Sequence, residues 1–76
     1  MIKEHDRVIL TEAIEEHGLE PGDIGAVVYV HGEGKAYEVE FVTLDGTTTA
    51  VLELESYQVR VAVEREIPHA RSLSAA

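Results

Sequence analysis

Pro21-Gly22-Asp23-Ile24-Gly25-Ala26-Val27-Val28-Tyr29-Val30 is the stretch that decides the fold. Pro21 pre-sets the first central position of a turn, and Gly22 accepts the positive φ that a type II turn requires next. A sharp reversal therefore hands over directly to a strand, because Ile24, Val27, Val28, Tyr29 and Val30 are β-branched or aromatic. Gly25 removes a side chain where a barrel strand bends or a second backbone comes close. The segment reads as the central strand of a small curved sheet.

On the N-terminal side, Asp6 to Leu10 alternates, with Val8 and Leu10 on one face and Arg7 and Ile9 on the other, so it forms a first strand after a loose lead-in, Met1 to His5. Between the two strands lies a long loop, Thr11 to Glu20, with one helical turn that Thr11 can cap and Gly18 ends. Ile14 and Leu19 anchor it, leaving Glu12, Glu15 and Glu16 in water. On the C-terminal side, His31 to Lys35 has hairpin chemistry, and the return strand, Ala36 to Thr43, turns Tyr37, Val39 and Phe41 inward and Glu38, Glu40 and Val42 outward. Asp45-Gly46 is the strongest local hairpin signal and predicts a type I′ turn, which makes Gly46 more sensitive to substitution than Gly34. A fourth strand, Thr48 to Leu54, places Ala50, Leu52 and Leu54 inside and Val51 and Glu53 outside. A tight turn at Glu55 to Gln58 then leads to a last strand, Val59 to Val63, whose valines 59, 61 and 63 share one side.

These elements predict an all-β chain, a small five-stranded SH3-like barrel over residues 1–63 with a long first loop and a flexible C-terminal tail over 64–76. Pro68 interrupts any helix in that tail, which has little to bury. The expected core is Val8, Leu10, Ile24, Val27 or Val28, Val39, Phe41, Leu52, Leu54, Val59 and Val61. A chain of 76 residues makes one domain and buries only about 60% of its unfolded surface, so there is little room for a deep active site. The absence of cysteine excludes disulfides and thiolate chemistry and suits the cytoplasm. No apolar run is long enough for a signal-peptide core or a membrane span.

The order Asp6-x-Val8-x-Leu10, Gly22-Asp23-Ile24-Gly25-x-Val27-Val28, Tyr37-Glu38-Val39-Glu40-Phe41 with Asp45-Gly46-Thr47, then Leu54 and Gln58-Val59-Arg60 resembles a small bacterial family. That family is the domain of unknown function numbered four-nine-two-six, and the likeness runs from about Met1 to Val61. The resemblance implies an SH3-like barrel without an established activity. It also implies a likeness to products of small two-gene cassettes, and so an antitoxin-like role toward a partner. The Gly22-x-x-Gly25-x-Val27 pattern is similar, in part, to KOW-type barrels, which bind RNA or protein through a basic loop. Here the same region carries Glu20 and Asp23.

Charge decides among partners. Fifteen acidic residues against six Lys and Arg give a formal charge of -9, which repels nucleic acid and anionic membranes and speeds encounter with a basic protein. The same charge also serves solubility. No catalytic pattern accompanies it. His5, His17, His31 and His69 sit in four separate segments without metal-ligand spacing, so neither metal nor cofactor is expected. Ser56, Ser72 and Ser74 lie in no nucleophile elbow. The expectation is a non-catalytic acidic module that binds a basic protein through Glu38, Glu40, Val42, Val51 and Glu53. The alternative is a structural domain that self-associates through its strand edges into a homo-oligomer.

Overall fold

The computed structural model describes residues 1–73 of the chain; Ser74 and the rest of the expected tail to Ala76 lie outside the described residues. Five strands form one antiparallel sheet: β1 (Arg7–Leu10), β2 (Ile24–His31), β3 (Ala36–Val42), β4 (Thr48–Glu55) and β5 (Val59–Val61). Their order across the sheet is β4-β3-β2-β1-β5. The all-β class and the five strands are as the sequence predicts. β4 and β5 end the sheet on opposite sides and do not pair, so the sheet stays open at this seam and no closed barrel forms.

The reversal at the head of β2 is built as its residues require. Asp23 N–H donates to Glu20 O at 3.0 Å and Gly22 has φ +95°, the positive value a type II turn needs at that position. Asp23 also takes the Glu20 N–H on its own carboxylate at 2.8 Å. In the long loop a 3₁₀ turn spans Glu15–His17 and stops at Gly18, whose φ of +69° lets its N–H return to Glu15 O. Thr11 does not cap it. Its hydroxyl instead donates to Tyr57 O at 2.8 Å, tying the loop to the second 3₁₀ turn, Ser56–Gln58.

The core comprises Val8, Leu10, Leu19, Val27, Tyr37, Val39, Phe41, Leu54 and Val59, with Ile2, Ile14, Val30 and Leu52 packed against it. Two expected members, Ile24 and Val61, are placed differently. Ile24 is 38% exposed, because Gly25 and Val27 take the inward positions of β2 and Ile24 falls on the opposite parity. Of the pair Val27 and Val28, Val27 is buried; the register shifts between Val27 and Tyr29, a β-bulge that leaves Val28 outside. Val61 pairs with Val8 but ends a three-residue edge strand with one neighbour, and it stays 44% exposed. The strand stops there, short of Val63. Ile9, expected to face outward, is buried.

The two hairpins exchange their expected geometries. Asp45 is not among the residues with positive φ, and only Gly46, at +87°, is left-handed in that loop. Gly46 N–H donates to Thr43 O and Thr43 N–H to Thr47 O, a turn over Thr43 to Gly46 with a register shift at Phe41/Val42, not a type I′ pair. The Asp45 carboxylate locks it by accepting from Thr47 N–H and the Thr43 hydroxyl. The paired positive φ of a type I′ turn occurs instead at Gly32 and Glu33, closed by Gly34 N–H to His31 O. A Cβ on Gly34, at φ +102°, would lie 3.1 Å from the Tyr37 hydroxyl, whereas one on Gly46 meets nothing within 4 Å. Gly34→Ala is therefore expected to destabilise more than Gly46→Ala, which carries only the backbone term of about 1 to 2 kcal/mol. Paired urea titrations check this; a larger loss at Gly46 would contradict it.

Beyond β5 the described chain has no further helix or strand, but two arginines fasten it. Arg60 pairs with Glu66, and Arg71 reaches back to the Asp23 carboxylate and donates to Gly18 O at 2.9 Å. The Arg60 guanidinium, with the Val63 N–H, brings the Glu66 carboxyl down to about 2. Burial acts to raise the Asp23 carboxyl, but Arg71 and the Glu20 N–H together outweigh it and hold the group below its ordinary value. Depressed carboxyl values mean that these ties are fully present above the ordinary carboxylate range and are lost as the pH falls through the depressed values. Amide signals of residues 62–73 should therefore stay dispersed at about pH 5 and begin to move toward random-coil positions as the pH falls through about 2, where the Glu66 carboxylate takes up its proton. Unchanged signals at the lower pH would show that the arginines do not hold the segment.

Candidate functional site

The alternation of β3 sends Tyr37, Val39 and Phe41 inside and presents Glu38, Glu40 and Val42 on the other side of the sheet. Pairing with β4 places Glu53 directly opposite Glu38 and Val51 opposite Glu40. All five residues predicted as a partner-binding set, Glu38, Glu40, Val42, Val51 and Glu53, are thus brought onto one face. Val42 and Val51 are more than half exposed.

Strand β2 adds residues that the sequence reading missed. The bulge turns both Val28 and Tyr29 outward, and Tyr29 pairs with Glu38 across the strands with 51% of its surface exposed. Its ring meets His31 edge-on, with centroids 4.7 Å apart. The His31 Nε2 in turn lies 2.7 Å from Glu38 Oε2, the ring nitrogen donating to the carboxylate. The only sequence signal for this arrangement was the Val27-Val28 doublet, which breaks the period of two.

The electrostatics of this face are unbalanced. Glu38 and Glu53 stand directly opposite one another, an arrangement of like charges that works against the sheet. His31 is the one cation-forming side chain the structure places in contact with Glu38, and Glu40 is held by the Thr48 hydroxyl at 2.6 Å, a neutral donor. Both carboxylates are therefore oriented but not neutralised by a Lys or Arg among the described residues. Apolar side chains lie between them, so the face combines fixed negative charge with exposed Val42, Val51, Val28 and Tyr29.

Other candidate chemistry does not assemble. Among the described residues no three His, Asp or Glu side chains converge as a metal site would need, and no helix is long and apolar enough to cross a membrane. His5 belongs to a lead-in whose N–H donates to Val27 O, while His17 ends the first 3₁₀ turn. Ser56 opens the second 3₁₀ turn and its N–H donates to Lys35 O; Ser72 lies beyond the last strand.

Comparison with known proteins returns one family. No curated protein and no solved structure matches the chain. The family described as domain of unknown function (DUF4926) matches residues 4–61, which run from the lead-in to the end of β5 and include the whole outer face of β2, β3 and β4. The chain belongs to the DUF4926 family of domains of unknown function.

Proposed function

We propose that the chain is a non-catalytic protein-binding module whose outer sheet face meets a basic protein. The observation that carries this reading is the cross-strand pair Glu38 and Glu53, with His31 against Glu38 but no Lys or Arg on either carboxylate among the described residues, set among exposed Val42, Val51 and Tyr29. A positively charged partner relieves the like-charge repulsion, and the apolar side chains between the acids hold the complex once opposite charge has brought it together. The net charge of -9 supports the same choice against nucleic acid and anionic lipid. In its narrower form the partner is the toxic product of a neighbouring gene and the chain works as an antitoxin in the cytoplasm, a form that draws on the cassette resemblance alone.

The test is charge reversal on the face. Glu38→Lys combined with Glu40→Lys should leave the circular dichroism and melting of the domain nearly unchanged, because both side chains are outside the core. The same variant should bind the basic partner at least about tenfold more weakly at low ionic strength, with a shallower salt dependence, as two long-range attractions become repulsions. Equal affinity of variant and wild type would reduce the acidic face to a solubility device.

A further inference from the structure

The open seam of the sheet is a second surface, away from the middle of the outer face. β4 is the terminal strand and runs for eight residues, from Thr48 to Glu55, with β3 on one side only. Alternate residues along its free edge therefore direct N–H and C=O groups away from the sheet. Across the gap stands the first 3₁₀ turn. Between the two lies a groove of about 270 Å³ lined by Leu52, Glu53 and Leu54 of β4 and by Ile14, Glu16, His17 and Gln58. Glu12 adjoins the same rim, accepting from Gln58 Nε2 at 3.2 Å. No residue beyond Gln58 lines it, so among the described residues the C-terminal segment does not fill it.

We propose that this groove takes an extended segment of a basic protein, added as a sixth strand along β4. The inference rests on the basic-partner reading above and names its mode of binding. Strand addition satisfies the free backbone groups of β4, and it sets alternate side chains on the two sides of the sheet. Apolar residues of the incoming segment cover the partly exposed Leu52 and Ile14. Its Lys or Arg residues stand beside Glu53 on the outer side, where a cross-strand pair of opposite charge is favourable; Glu55 is taken up by the second 3₁₀ turn, its carboxylate accepting from the Gln58 N–H and its own N–H donating to Gln58 Oε1 at 2.8 Å. Glu16 and Glu12 add negative charge at the rim, where cationic heads meet them in water while the aliphatic stems lie on the apolar surface. A second copy of this chain is the poorer occupant: β4 against β4 sets Glu53 and Glu55 into an acidic edge, with a charge of -9 on each molecule.

The test uses the full-length protein, isotope-labelled, and a capped peptide of alternating lysine and valine, compared with its counterpart N-methylated at every backbone amide. The unmethylated peptide should shift and protect amides of Thr48 to Glu55 and of Ile14 to His17, and the methylated one, equal in charge, should bind at least about tenfold more weakly. Glu12→Lys with Glu16→Lys, both exposed loop positions, should weaken the unmethylated peptide and reduce the β4 footprint, whereas Glu38→Lys with Glu40→Lys should lower the affinity while the shifts that remain stay centred on β4. Equal binding of both peptides, with shifts centred on Glu38, Glu40 and Val42, would overturn strand addition and leave the basic-partner reading standing. Failure of both peptides to bind at low salt would overturn both. Concentration-dependent protection of β4 without peptide would replace the basic segment by a second copy.

Discussion

Gly25→Ala is expected to destabilise the domain by about 3 kcal/mol, the upper part of the range for forcing extra volume into a packed core. The reason is local and does not involve backbone strain. A Cβ at Gly25 would sit 2.5 Å from Val39 Cγ1, 2.9 Å from Phe41 Cε1 and 3.0 Å from the Glu40 carbonyl oxygen. The two side chains are 0% and 3% exposed and cannot swing into solvent, and the third contact is main chain of the neighbouring strand. β2 and β3 must therefore separate or shear where Ala26 pairs with Glu40 and Val27 with Val39. For a domain of this size the loss corresponds to roughly 12 to 24 °C in Tm. Calorimetry is the check: a Gly25→Ala protein melting within a few degrees of wild type would show that β3 does not cross so closely over the glycine.

Phe41→Ala should cost about 3 to 5 kcal/mol, through lost transfer free energy and the cavity left behind. Phe41 is the only phenylalanine of the chain and is 3% exposed. Its ring edge occupies the space that Gly25 leaves open, so glycine and ring are two halves of one packing solution. Total stabilities of small domains are about 5 to 15 kcal/mol, and this loss removes a large share of one. Denaturant titration should show the midpoint falling sharply. The two substitutions should also couple: with Phe41 gone, the alanine at 25 loses one of its three clashes, so the double variant should be less destabilised than the sum of the singles. Strict additivity would mean that residues 25 and 41 do not share the space described.

Much of this fold was legible because each local choice along the chain has one solution. Pro21-Gly22 dictated a reversal, Gly25 marked a close crossing, and the alternation of Tyr37, Val39 and Phe41 with Glu38, Glu40 and Val42 settled both faces of β3 at once. That alternation is also why the predicted binding residues come together. What escaped the reading depends on partners far along the chain or on competition between side chain and backbone. The bulge at Val28 exposes Tyr29, and the sequence left the choice between Val27 and Val28 open because the bulge is set by the pairing with β3. Asp45-Gly46 carries the preferred dipeptide of a type I′ turn, yet the Thr43 hydroxyl and Thr47 N–H both bond to the Asp45 carboxylate and stabilise another loop. The grip of Arg71 on Asp23, between residues 48 positions apart, leaves no periodic trace in the sequence. Nor does the open seam, since the inward row of Ala50, Leu52 and Leu54 looks the same whether or not β4 finds a neighbour.

The most direct test of the acidic outer face as the meeting surface is an NMR footprint of the intact labelled chain with a basic protein recovered by pull-down on it. The expected result is perturbation of the amides of Glu38, Glu40, Val42, Val51 and Glu53, continuing across Tyr29 and onto the free edge of β4, with affinity falling steeply as salt is raised. A footprint confined to β1, β5 and residues 62–73, or binding indifferent to salt, would contradict it.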